Sequence, residues 1–326
     1  MVNVELNRAK EILTLCQGAT VAVIGDVMLD RFFWGNVSRI SPEAPVPVVD
    51  IESETAHLGG AANVASNLKS LGINPLLCGT VGSDFSGKIF IDIAKQAGIP
   101  DTGIYINNKR PTTVKTRIIG NNQHIVRLDR EERERIESDC EDFILNTLKN
   151  ATGLTSLIFE DYNKGVVTAS LIRRVTKWAN QNNVQVYIDP KFDNFFEFKN
   201  TTVFKPNLKE AQRALGFTIK SQEDVVNAGK MLLEKLSCKN VLLTLGKDGM
   251  VLFEDNGDVS SVETKALKVA DVSGAGDTAI ASLAAALAGG ATVKEAATLA
   301  NTAAGIVCEQ PGIVSVTVNE ILDRII

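Results

Sequence analysis

The stretch that decides the fold reads Val269-Ala-Asp-Val-Ser-Gly-Ala-Gly-Asp-Thr278, and an alanine-rich run follows it. A short apolar segment ends at Ser273, two glycines follow, and residues 279–287 predict a buried helix that ends at Gly289-Gly290. Glycines at a helix start let backbone N–H groups converge on an anion, and the helix dipole adds positive potential there. Asp277 therefore places a carboxylate beside a predicted phosphate site, an arrangement that phosphoryl transfer to a hydroxyl requires.

Three other interpretations compete for phosphate-binding patterns in this chain. In the first, Ser273 is an N-cap and Asp277 only interacts with the helix dipole, and the segment alone does not decide against this. In the second, residues 274–279 match a G-x-G-x-x-A dinucleotide fingerprint, but residues 293–307 predict a further helix where a strand should follow. In the third, residues 82–89 are a P-loop, but isoleucine stands where a Ser or Thr must bind magnesium, so this interpretation fails.

The composition indicates a globular protein with reduced cysteines. The 326 residues are 44% hydrophobic and 22% charged, which suits one large α/β unit with an insertion. The formal net charge of −5 argues against general binding to nucleic acid or acidic membranes, although a local cationic pocket can still hold a small anion. The five scattered cysteines and two histidines do not suggest disulfides or a histidine metal site. Because no apolar run approaches a membrane span and no signal peptide begins the chain, we expect a cytoplasmic protein.

From residue 131 onward, predicted helices and strands alternate as in a mostly parallel sheet with helices on both faces. The first of these elements is a charged helix predicted over residues 131–150. Several of the predicted strands end in polar residues, which would meet at the carboxyl edge of one sheet and outline a cleft. The four polar strand ends are Glu160-Asp-Tyr-Asn-Lys-Gly165, Asp189-Pro-Lys191, Lys205-Pro-Asn-x-x-Glu210 and Thr244-Leu-Gly-Lys-Asp-Gly249.

The N-terminal part adds a further strand end and a pair of glycines. A buried strand predicted over residues 20–24 is followed by Asp26 and Asp30, which either accept hydrogen bonds from sugar hydroxyls or serve as a turn cap and a solvated charge. Gly59-Gly60 leads directly into a helix of small residues, predicted over 61–71. These glycines permit either close approach of a ligand or tight packing of the helix on the sheet.

Two extended regions, residues 35–58 and 103–128, flank this helical part and predict a small β-sheet outside the main one. Within the first region, residues 46–52 alternate as an edge strand would. Within the second region, Lys115, Arg117 and Arg127 would offer cationic groups to one face of this sheet. An ordinary solvated strand face is the alternative.

The motifs together resemble those of the ribokinase (PfkB) family of sugar kinases, and the resemblance covers nearly the whole chain. It is carried by Gly59-Gly60 with Asn63, Gly82-x-Asp84-x-x-Gly87, Asn207-x-x-Glu210 and Asp271-Val-Ser-Gly-Ala-Gly-Asp277. The resemblance implies an α/β fold in a single domain over residues 1–326, with a mostly parallel sheet, helices on both faces and a β-sheet lid formed by 35–58 and 103–128. It also implies ATP and Mg²⁺ as cofactors, with dependence on a monovalent cation left open.

The resemblance also assigns roles. Asp277 would be the catalytic base, with a pKa that we expect the helix N-terminus to lower. The anion hole would be formed by the amides of Gly274, Ala275 and Gly276. Magnesium would be organised by Asn207 and Glu210, partly through water. The nucleotide would be bound by Asn207, Leu208, Lys209, Glu210, Thr244, Gly246, Gly249 and Asn301.

The N-terminal half is most similar to the members of this family that phosphorylate the anomeric hydroxyl of D-glycero-β-D-manno-heptose 7-phosphate, on the route to ADP-heptose and the lipopolysaccharide core. The cationic side chains would hold the phosphate that is already on the substrate. The substrate-binding residues implied by this resemblance are Asp26, Asp30, Gly59, Gly60, Asn63, Lys115, Arg117, Arg127, Asp161, Tyr162, Lys164 and Lys191.

The sequence departs from that pattern in two ways. Glu160 and Asn163 replace the Ser and the small residue expected around Asp161-Tyr162. The nucleotidyltransferase domain that such relatives often carry is not in this sequence, so the adenylyl step would belong to another polypeptide. The resemblance further implies a homodimer joined through the lid. Two alternatives stay open, namely a kinase for another phosphosugar such as fructose or tagatose 6-phosphate, and a non-catalytic sugar-phosphate sensor.

Overall fold

The structure, a computed structural model, describes residues 4–263, 271–310 and 312–325. Its strands, in chain order, are β1 (Thr20–Gly25), β2 (Val27–Ile40), β3 (Pro47–Gly60), β4 (Asn74–Gly82), β5 (Ile104–Asn107), β6 (Val114–Gly120), β7 (Gln123–Arg130), β8 (Leu154–Glu160), β9 (Gln185–Asp189), β10 (Val203–Phe204), β11 (Asn240–Thr244), β12 (Met250–Glu254) and β13 (Val259–Val262). Its helices are α1 (Leu6–Leu15), α2 (Ala61–Ser70), α3 (Phe85–Gln96), α4 (Ser138–Asn150), α5 (Ala169–Gln181), α6 (Leu208–Leu215), α7 (Gln222–Leu236), α8 (Ala275–Ala288), α9 (Val293–Cys308) and α10 (Val318–Arg324).

The main sheet has the strand order β13-β12-β11-β10-β9-β8-β1-β4-β5 among the described residues. Every pair from β11 through β5 is parallel, while β12 and β13 are antiparallel additions at one edge. The inner strands are buried on both faces because helices cover each side, which explains their continuous apolar runs. The mostly parallel sheet predicted from the sequence is therefore confirmed.

Two hydrophobic cores lie on opposite faces of this sheet. On one face, α1, α2, α3, α8, α9 and α10 pack together, and on the other α4, α5, α6 and α7 do so. Alternate residues of one strand enter different cores: in β8, Ile158 lies in the first and Phe159 in the second. The helix α8 is buried nearly all round because its alanines let α2 and α9 approach closely.

A second sheet, which we call the lid, has the strand order β3-β2-β6-β7. Its presence is as predicted, and β3 is an edge strand as expected for residues 46–52. The predicted bounds of 35–58 and 103–128 need correction, because β2 already begins at Val27 and β7 continues to Arg130. The segment β5, inside the predicted lid, instead pairs with β4 at the edge of the main sheet. The short apolar pattern of β5 would suit a strand of either sheet, so the sequence does not show which sheet this strand joins.

Two further expectations are wrong in detail. Residues 131–137 are not helical, and α4 begins only at Ser138. The N-cap of α8 is Gly274 and not Ser273, so the capping interpretation of that serine fails. The apolar segment predicted before Ser273 includes Val269 and Ala270, which lie outside the described residues.

Over the part of the chain that is described, no helix combines the length and apolar character needed to span a bilayer.

Candidate active site

The candidate site lies at the carboxyl edge of the main sheet, where β1, β8, β9 and β10 end beside the start of α8. Parallel pairing places Gly25 of β1 next to Glu160, and Glu160 next to Asp189 of β9. Because these strands run in the same direction, the polar residues that end them or follow them meet at one place. The cleft predicted from polar strand ends thus forms at this edge.

Asp277 lies in the first turn of α8 and is buried. Its Oδ1 accepts a hydrogen bond of 2.7 Å from the Tyr162 hydroxyl, and its Oδ2 accepts one of 2.7 Å from Asn63 Nδ2. Burial raises the pKa of Asp277 to about 6, although the bonds from Asn63 and Tyr162 oppose this rise. The expectation of a lowered pKa is therefore wrong, because loss of water outweighs the helix dipole. The carboxylate is a stronger base than an exposed Asp.

The start of α8 is open to an anion. Gly274 adopts a left-handed φ of 79°, which turns the chain into the helix, and no side chain in the described structure caps it. The N–H groups of the first turn therefore lack the side-chain acceptor that usually occupies them. Lys205 lies close by, since a Cβ added to Gly276 would be 3.8 Å from its Nζ. Amides and ammonium together make this corner attractive to a phosphate.

Three buried carboxylates converge here, from Glu160, Asp189 and Asp277, with one oxygen of each within 4.8 Å of the others. Lys205 Nζ lies 2.8 Å from Asp189 Oδ2, and both side chains are buried. Burial together with the charges of Asp189 and Asp277 raises the pKa of Glu160 well above its usual value. Burial opposes the charged form of Lys205, but Asp189 more than compensates, so the pKa of this lysine is raised.

Glu160, Asp189 and Lys205 were predicted to outline the cleft as polar strand ends, but the sequence analysis assigned none of them a role in the site. A signal was available, because each one ends a buried strand or follows it directly. Sequence alone shows that such residues reach the sheet edge but not which of them converge, since that depends on the strand order.

Asp26 stabilises the site by accepting hydrogen bonds from the backbone of the loop after β8. Its carboxylate is buried and accepts backbone N–H bonds of 2.8 to 3.0 Å from Tyr162, Lys164 and Val166. It thereby fixes the loop that carries Tyr162, which reaches Asp277. Burial raises the pKa of Asp26, while these three bonds oppose the rise. Direct contact between Asp26 and a sugar stays a prediction, and the geometry indicates a positioning role.

The lid supplies a second group of predicted residues. Asp30 on β2 forms an ion pair with Arg117 of the neighbouring β6 and is buried. Gly59 makes room for it, since a Cβ there would lie 2.0 Å from Asp30 Oδ2. Gly60 is the N-cap of α2 and brings Asn63 on its first turn towards Asp277. The start of α2, which directly follows the lid strand β3, thus contacts the Asp277 carboxylate.

Two predicted lysines flank the ring of Tyr162, with Lys115 Nζ and Lys191 Nζ each 5.4 Å from its centroid. Burial lowers the pKa of Lys115. Burial also acts against the charge of Lys191, but Asp189 and Glu210 outweigh it and the pKa is raised. Two lysine side chains thus lie near the tyrosine that donates a hydrogen bond to Asp277.

Other predicted substrate residues contact neighbouring protein groups. Lys164 Nζ lies 2.6 Å from Glu131, and Arg127 on the exposed part of the lid pairs with Asp129 at 2.9 Å. Asp161 is buried, and its Oδ1 accepts a bond from the Asn163 N–H at 2.8 Å. Burial raises the pKa of Asp161 to about 7. Of these residues, Arg127 is exposed, and its position in a substrate site stays a prediction.

A cavity of about 420 Å³ adjoins the start of α8 and is lined by residues of α8, α9 and the loop after β11. Four of the predicted nucleotide-binding residues line it together with Gly276, namely Thr244, Gly246, Gly249 and Asn301. Apolar lining comes from Met250, Val272, Ala279, Ala304 and Cys308. The structure therefore brings these distant segments together around one opening next to Asp277.

The first turn of α6 lies near this cavity, since Asn207 forms a β-bridge with Thr244. Asn207 and Glu210 form a reciprocal capping box, and Glu210 Oε1 also accepts a bond of 2.6 Å from Lys191. Leu208 is half-buried and Lys209 is exposed. Because both oxygens of Glu210 already have donors, its predicted contact with magnesium would run through water or require exchange of these partners.

Comparison with known proteins places this geometry in a wider context. Residues 19–319 match the model of the pfkB family carbohydrate kinases. The chain is 41% identical over 305 residues to the bifunctional protein HldE of Desulfatibacillum aliphaticivorans, covering 93% of this chain and 62% of that protein. It is 42% identical over 302 residues to the bifunctional protein HldE of Geobacter sulfurreducens, with 92% and 61% covered. The chain thus spans less than two thirds of the length of these relatives.

Solved structures with the same fold are more distant in sequence. Phosphofructokinase-2 from Escherichia coli in complex with potassium has a TM-score of 0.79 at 16% identity, covering 95% of this chain and 98% of that one. Arabidopsis thaliana ribokinase complexed with ribose and ATP has a TM-score of 0.73 at 20% identity, covering 95% and 99%. At this identity the likeness shows that the fold is ribokinase-like, as predicted.

Proposed function

Because the chain belongs to the pfkB family of carbohydrate kinases, which use ATP with Mg²⁺, we propose that it transfers the γ-phosphoryl group of ATP to the anomeric hydroxyl of D-glycero-β-D-manno-heptose 7-phosphate. The observation that carries the proposal is the position of Asp277. This buried carboxylate lies in the first turn of α8, next to Gly276, which lines the 420 Å³ cavity. It also accepts a hydrogen bond from Tyr162, whose ring lies near Lys115 and Lys191.

The sugar phosphate is proposed to bind on the lid side of Asp277. Lys115 and Lys191, both near the ring of Tyr162, supply cations for a phosphate that is already on the substrate. Asp30, held by Arg117, offers an acceptor for sugar hydroxyls. The relatives named bifunctional HldE, at 41% identity, support a heptose phosphate over other sugars.

ATP is proposed to occupy the cavity between α8, α9 and the loop after β11, with its terminal phosphate at the amides of residues 274–276. The apolar residues of the cavity suit an adenine ring. The buried carboxylates and the α6 capping box offer the oxygen ligands that Mg²⁺ prefers, and when bound the ion neutralises charge on the phosphates. The nucleotide–metal complex would be held by two pairs of residues. They are Asp189 and Lys205, which lie beside Gly276, and Asn207 and Glu210 at the start of α6.

In the proposed mechanism the sugar hydroxyl attacks the γ-phosphorus in line with the departing ADP oxygen. Asp277 accepts the hydroxyl proton at one of its oxygens, while Tyr162 and Asn63 hold the carboxylate in place. The amides at the start of α8 and Lys205 stabilise the negative charge on the moving phosphoryl group. Positioning by these groups contributes as much as proton transfer.

The proposal is tested by measuring ADP release with a panel of phosphosugars. We expect kcat/KM for the heptose 7-phosphate to exceed that for fructose 6-phosphate and tagatose 6-phosphate by at least about 100-fold, because each misplaced hydroxyl leaves a buried polar group unpaired. A higher kcat/KM for one of the hexose phosphates would contradict the substrate. No ADP release with any phosphosugar would favour the non-catalytic sensor.

We further propose that the protein is a cytoplasmic homodimer joined through the lids. Leu128 and Val126 of β7 and Ile51 of β3 are exposed apolar residues on the lid. Cross-strand pairing of Leu128 with Thr116 and of Val126 with Ile118 places the two β7 residues on the face opposite to Asp30 and Arg117. Covering this face would remove apolar area from water. A nucleotidyltransferase would act downstream of the phosphorylation, and a monovalent cation would support the site near α8.

A further inference from the structure

We propose that Asn67, to which the sequence analysis gave no role, is a positioning residue for the phosphoryl transfer. It holds the side-chain amide of Asn63 in the orientation that points its NH₂ group at Asp277. The inference rests on the proposed role of Asp277 as the base, but it does not depend on which sugar is phosphorylated.

Helix α2 places the two asparagines next to each other, because residues four apart share one face of a helix. Asn67 Nδ2 donates a bond of 3.0 Å to the backbone carbonyl of Asn63 and one of 3.4 Å to Asn63 Oδ1. Asn63 Nδ2 in turn donates its bond of 2.7 Å to Asp277 Oδ2. A continuous chain of hydrogen bonds therefore leads from Asn67 to the carboxylate.

The orientation of the Asn67 amide is itself fixed by backbone groups. An amide side chain has one end that accepts and one end that donates, and its hydrogen bonds decide which end lies where. The Val316 N–H can only donate, and it bonds Asn67 Oδ1 at 3.4 Å. The Asn63 carbonyl can only accept, and it faces Asn67 Nδ2. Turning the Asn67 amide over would place donor against donor at one end and acceptor against acceptor at the other.

The Thr278 hydroxyl adds a third contact, since it donates a bond of 3.0 Å to Asn67 Oδ1. Thr278 directly follows Asp277 on α8, so Asn67 connects α2 both to the helix of the proposed base and to the segment before α10. Asn67 and Thr278 are fully buried. A buried network in which each polar group has a partner holds its members in one arrangement.

This arrangement matters most while the proton moves. An ionised Asp277 only accepts, so by itself it favours the NH₂ end of Asn63. Once Asp277 takes up the hydroxyl proton its carboxyl group can also donate, and this preference weakens. Asn67 still presents its own NH₂ group to Asn63 Oδ1, which keeps the Asn63 amide from turning over during the transfer.

The first test is steady-state kinetics with the phosphosugar that gives the highest ADP release. Asn67→Leu removes the amide at similar volume and should lower kcat about tenfold, since a hydrogen bond to a charged group is worth about 1.5–3 kcal/mol. The KM for ATP should stay within about twofold of wild type, because no group of the nucleotide cavity changes. In an Asn63→Ala background, Asn67→Leu should lower kcat by less than about twofold, because the group that it positions is already gone.

Asn240→Leu is the matched control. This amide is also buried and donates a bond of 2.9 Å to the Thr202 carbonyl, but it lies at the amino end of β11, away from the site. The control should therefore reproduce the loss of a buried amide without lowering kcat. Circular dichroism establishes that each variant is folded, and Asn67→Ala replaces Asn67→Leu if the leucine is not accommodated.

A second readout needs no catalysis. The side-chain NH₂ resonance of Asn63, identified by its absence in Asn63→Ala, should shift in Asn67→Leu and stay in place in Asn240→Leu when ¹⁵N-labelled, nucleotide-free protein is measured by NMR. An unshifted resonance, an unchanged kcat in Asn67→Leu, or the full loss of kcat in the Asn63→Ala background would overturn the proposal. Failure of the proposed function would appear separately, as absent ADP release by the wild type, and the Asn63 resonance would then decide the role of Asn67 alone.

Discussion

At the scale of single residues, the chemistry depends on how Asp277 is held. Burial raises its pKa to about 6, which keeps it mostly ionised at neutral pH while strengthening it as a base. Tyr162 and Asn63 each donate one hydrogen bond and orient its two oxygens. The orientation of the Asp277 carboxylate thus depends on two side chains that are far apart in sequence. They are Asn63 in the first turn of α2 and Tyr162 in the loop after β8.

Tyr162→Phe should lower kcat about 10- to 100-fold, since a hydrogen bond to a charged group is worth about 1.5–3 kcal/mol. The KM for ATP should change little, because Tyr162 lies on the lid side of Asp277. Steady-state kinetics measures both. Tyr187→Phe is the control, because that buried hydroxyl donates to Gln185 and should leave kcat unchanged. An unaltered kcat in Tyr162→Phe would show that this bond does not position the carboxylate.

Residue roles were only partly predictable from the sequence. Asp277, Asn63 and Tyr162 were predicted as site residues, and the structure joins them by hydrogen bonds. Lys205 and Glu160 were predicted only as polar strand ends of the cleft and were given no role, because their partners come from different strands. The sequence also does not show that Asp26 uses its oxygens on three backbone N–H groups.

At the scale of elements, α9 illustrates how a helix is fixed to its neighbours. Thr292 and Glu295 form a capping box at its start, and Glu295 Oε1 also accepts a bond of 2.9 Å from Arg8 of α1. The Arg8 bond lowers the pKa of Glu295 to about 2. A lowered pKa in the folded state means that this carboxylate stabilises the fold above its unfolded pKa of about 4.3. The stabilisation is lost as the pH falls towards 2.

Glu295→Gln should therefore reduce the free energy of unfolding at pH 7, and the difference from wild type should shrink as the pH falls from about 5 to about 2. Glutamine can still accept in the capping box, so the variant isolates the charge. Urea denaturation at several pH values measures the effect. In contrast, Thr292→Ala should cost about 1 kcal/mol and retain the acid sensitivity due to the Arg8 pair. A pH-independent difference for Glu295→Gln would contradict the assignment.

Most elements of the main sheet were predictable, because buried parallel strands and amphipathic helices have distinct patterns. Residues 131–137 were predicted as helix but form a connecting segment. Lys164 pairs with Glu131 there, and Arg110 donates to the backbone carbonyl of Glu132 at 3.0 Å. These tertiary contacts outweigh local helix propensity. Hydrogen bonds between distant segments are not visible in a local pattern.

At the scale of the whole molecule, the lid is the element that the proposals for substrate binding and for assembly share. One face of it carries Asp30 and Arg117 towards the site, and the other exposes Leu128, which is 54% accessible to solvent. Exposed apolar side chains of this size on one sheet face are what the proposed dimer would cover.

Leu128→Asp should convert a dimer into a monomer, because it places a charge in the apolar lid face. Sedimentation-velocity analysis measures the change. Leu15→Asp, at a similarly exposed apolar position on α1 away from the lid, should leave the dimer intact. A wild-type protein that sediments as a monomer at micromolar concentration would contradict the lid dimer.

The presence of a lid was predictable from the proline-containing and alternating segments, whereas its bounds were not. The strand β2 follows β1 after a single residue, so the passage from main sheet to lid has no turn signal of its own. The pairing of β2 with β6 is parallel and joins residues more than 80 positions apart, which no local pattern specifies.

The central claim is that Asp277, at the open start of α8, accepts the proton of the sugar hydroxyl. It is tested most directly by Asp277→Asn, with turnover measured by ADP release and ATP binding by calorimetry. We expect turnover to fall about 10²- to 10⁴-fold while ATP binding persists, because asparagine keeps the shape but cannot accept the proton. Near-normal turnover in this variant would contradict the account and leave Asp277 with a structural role at the start of the helix.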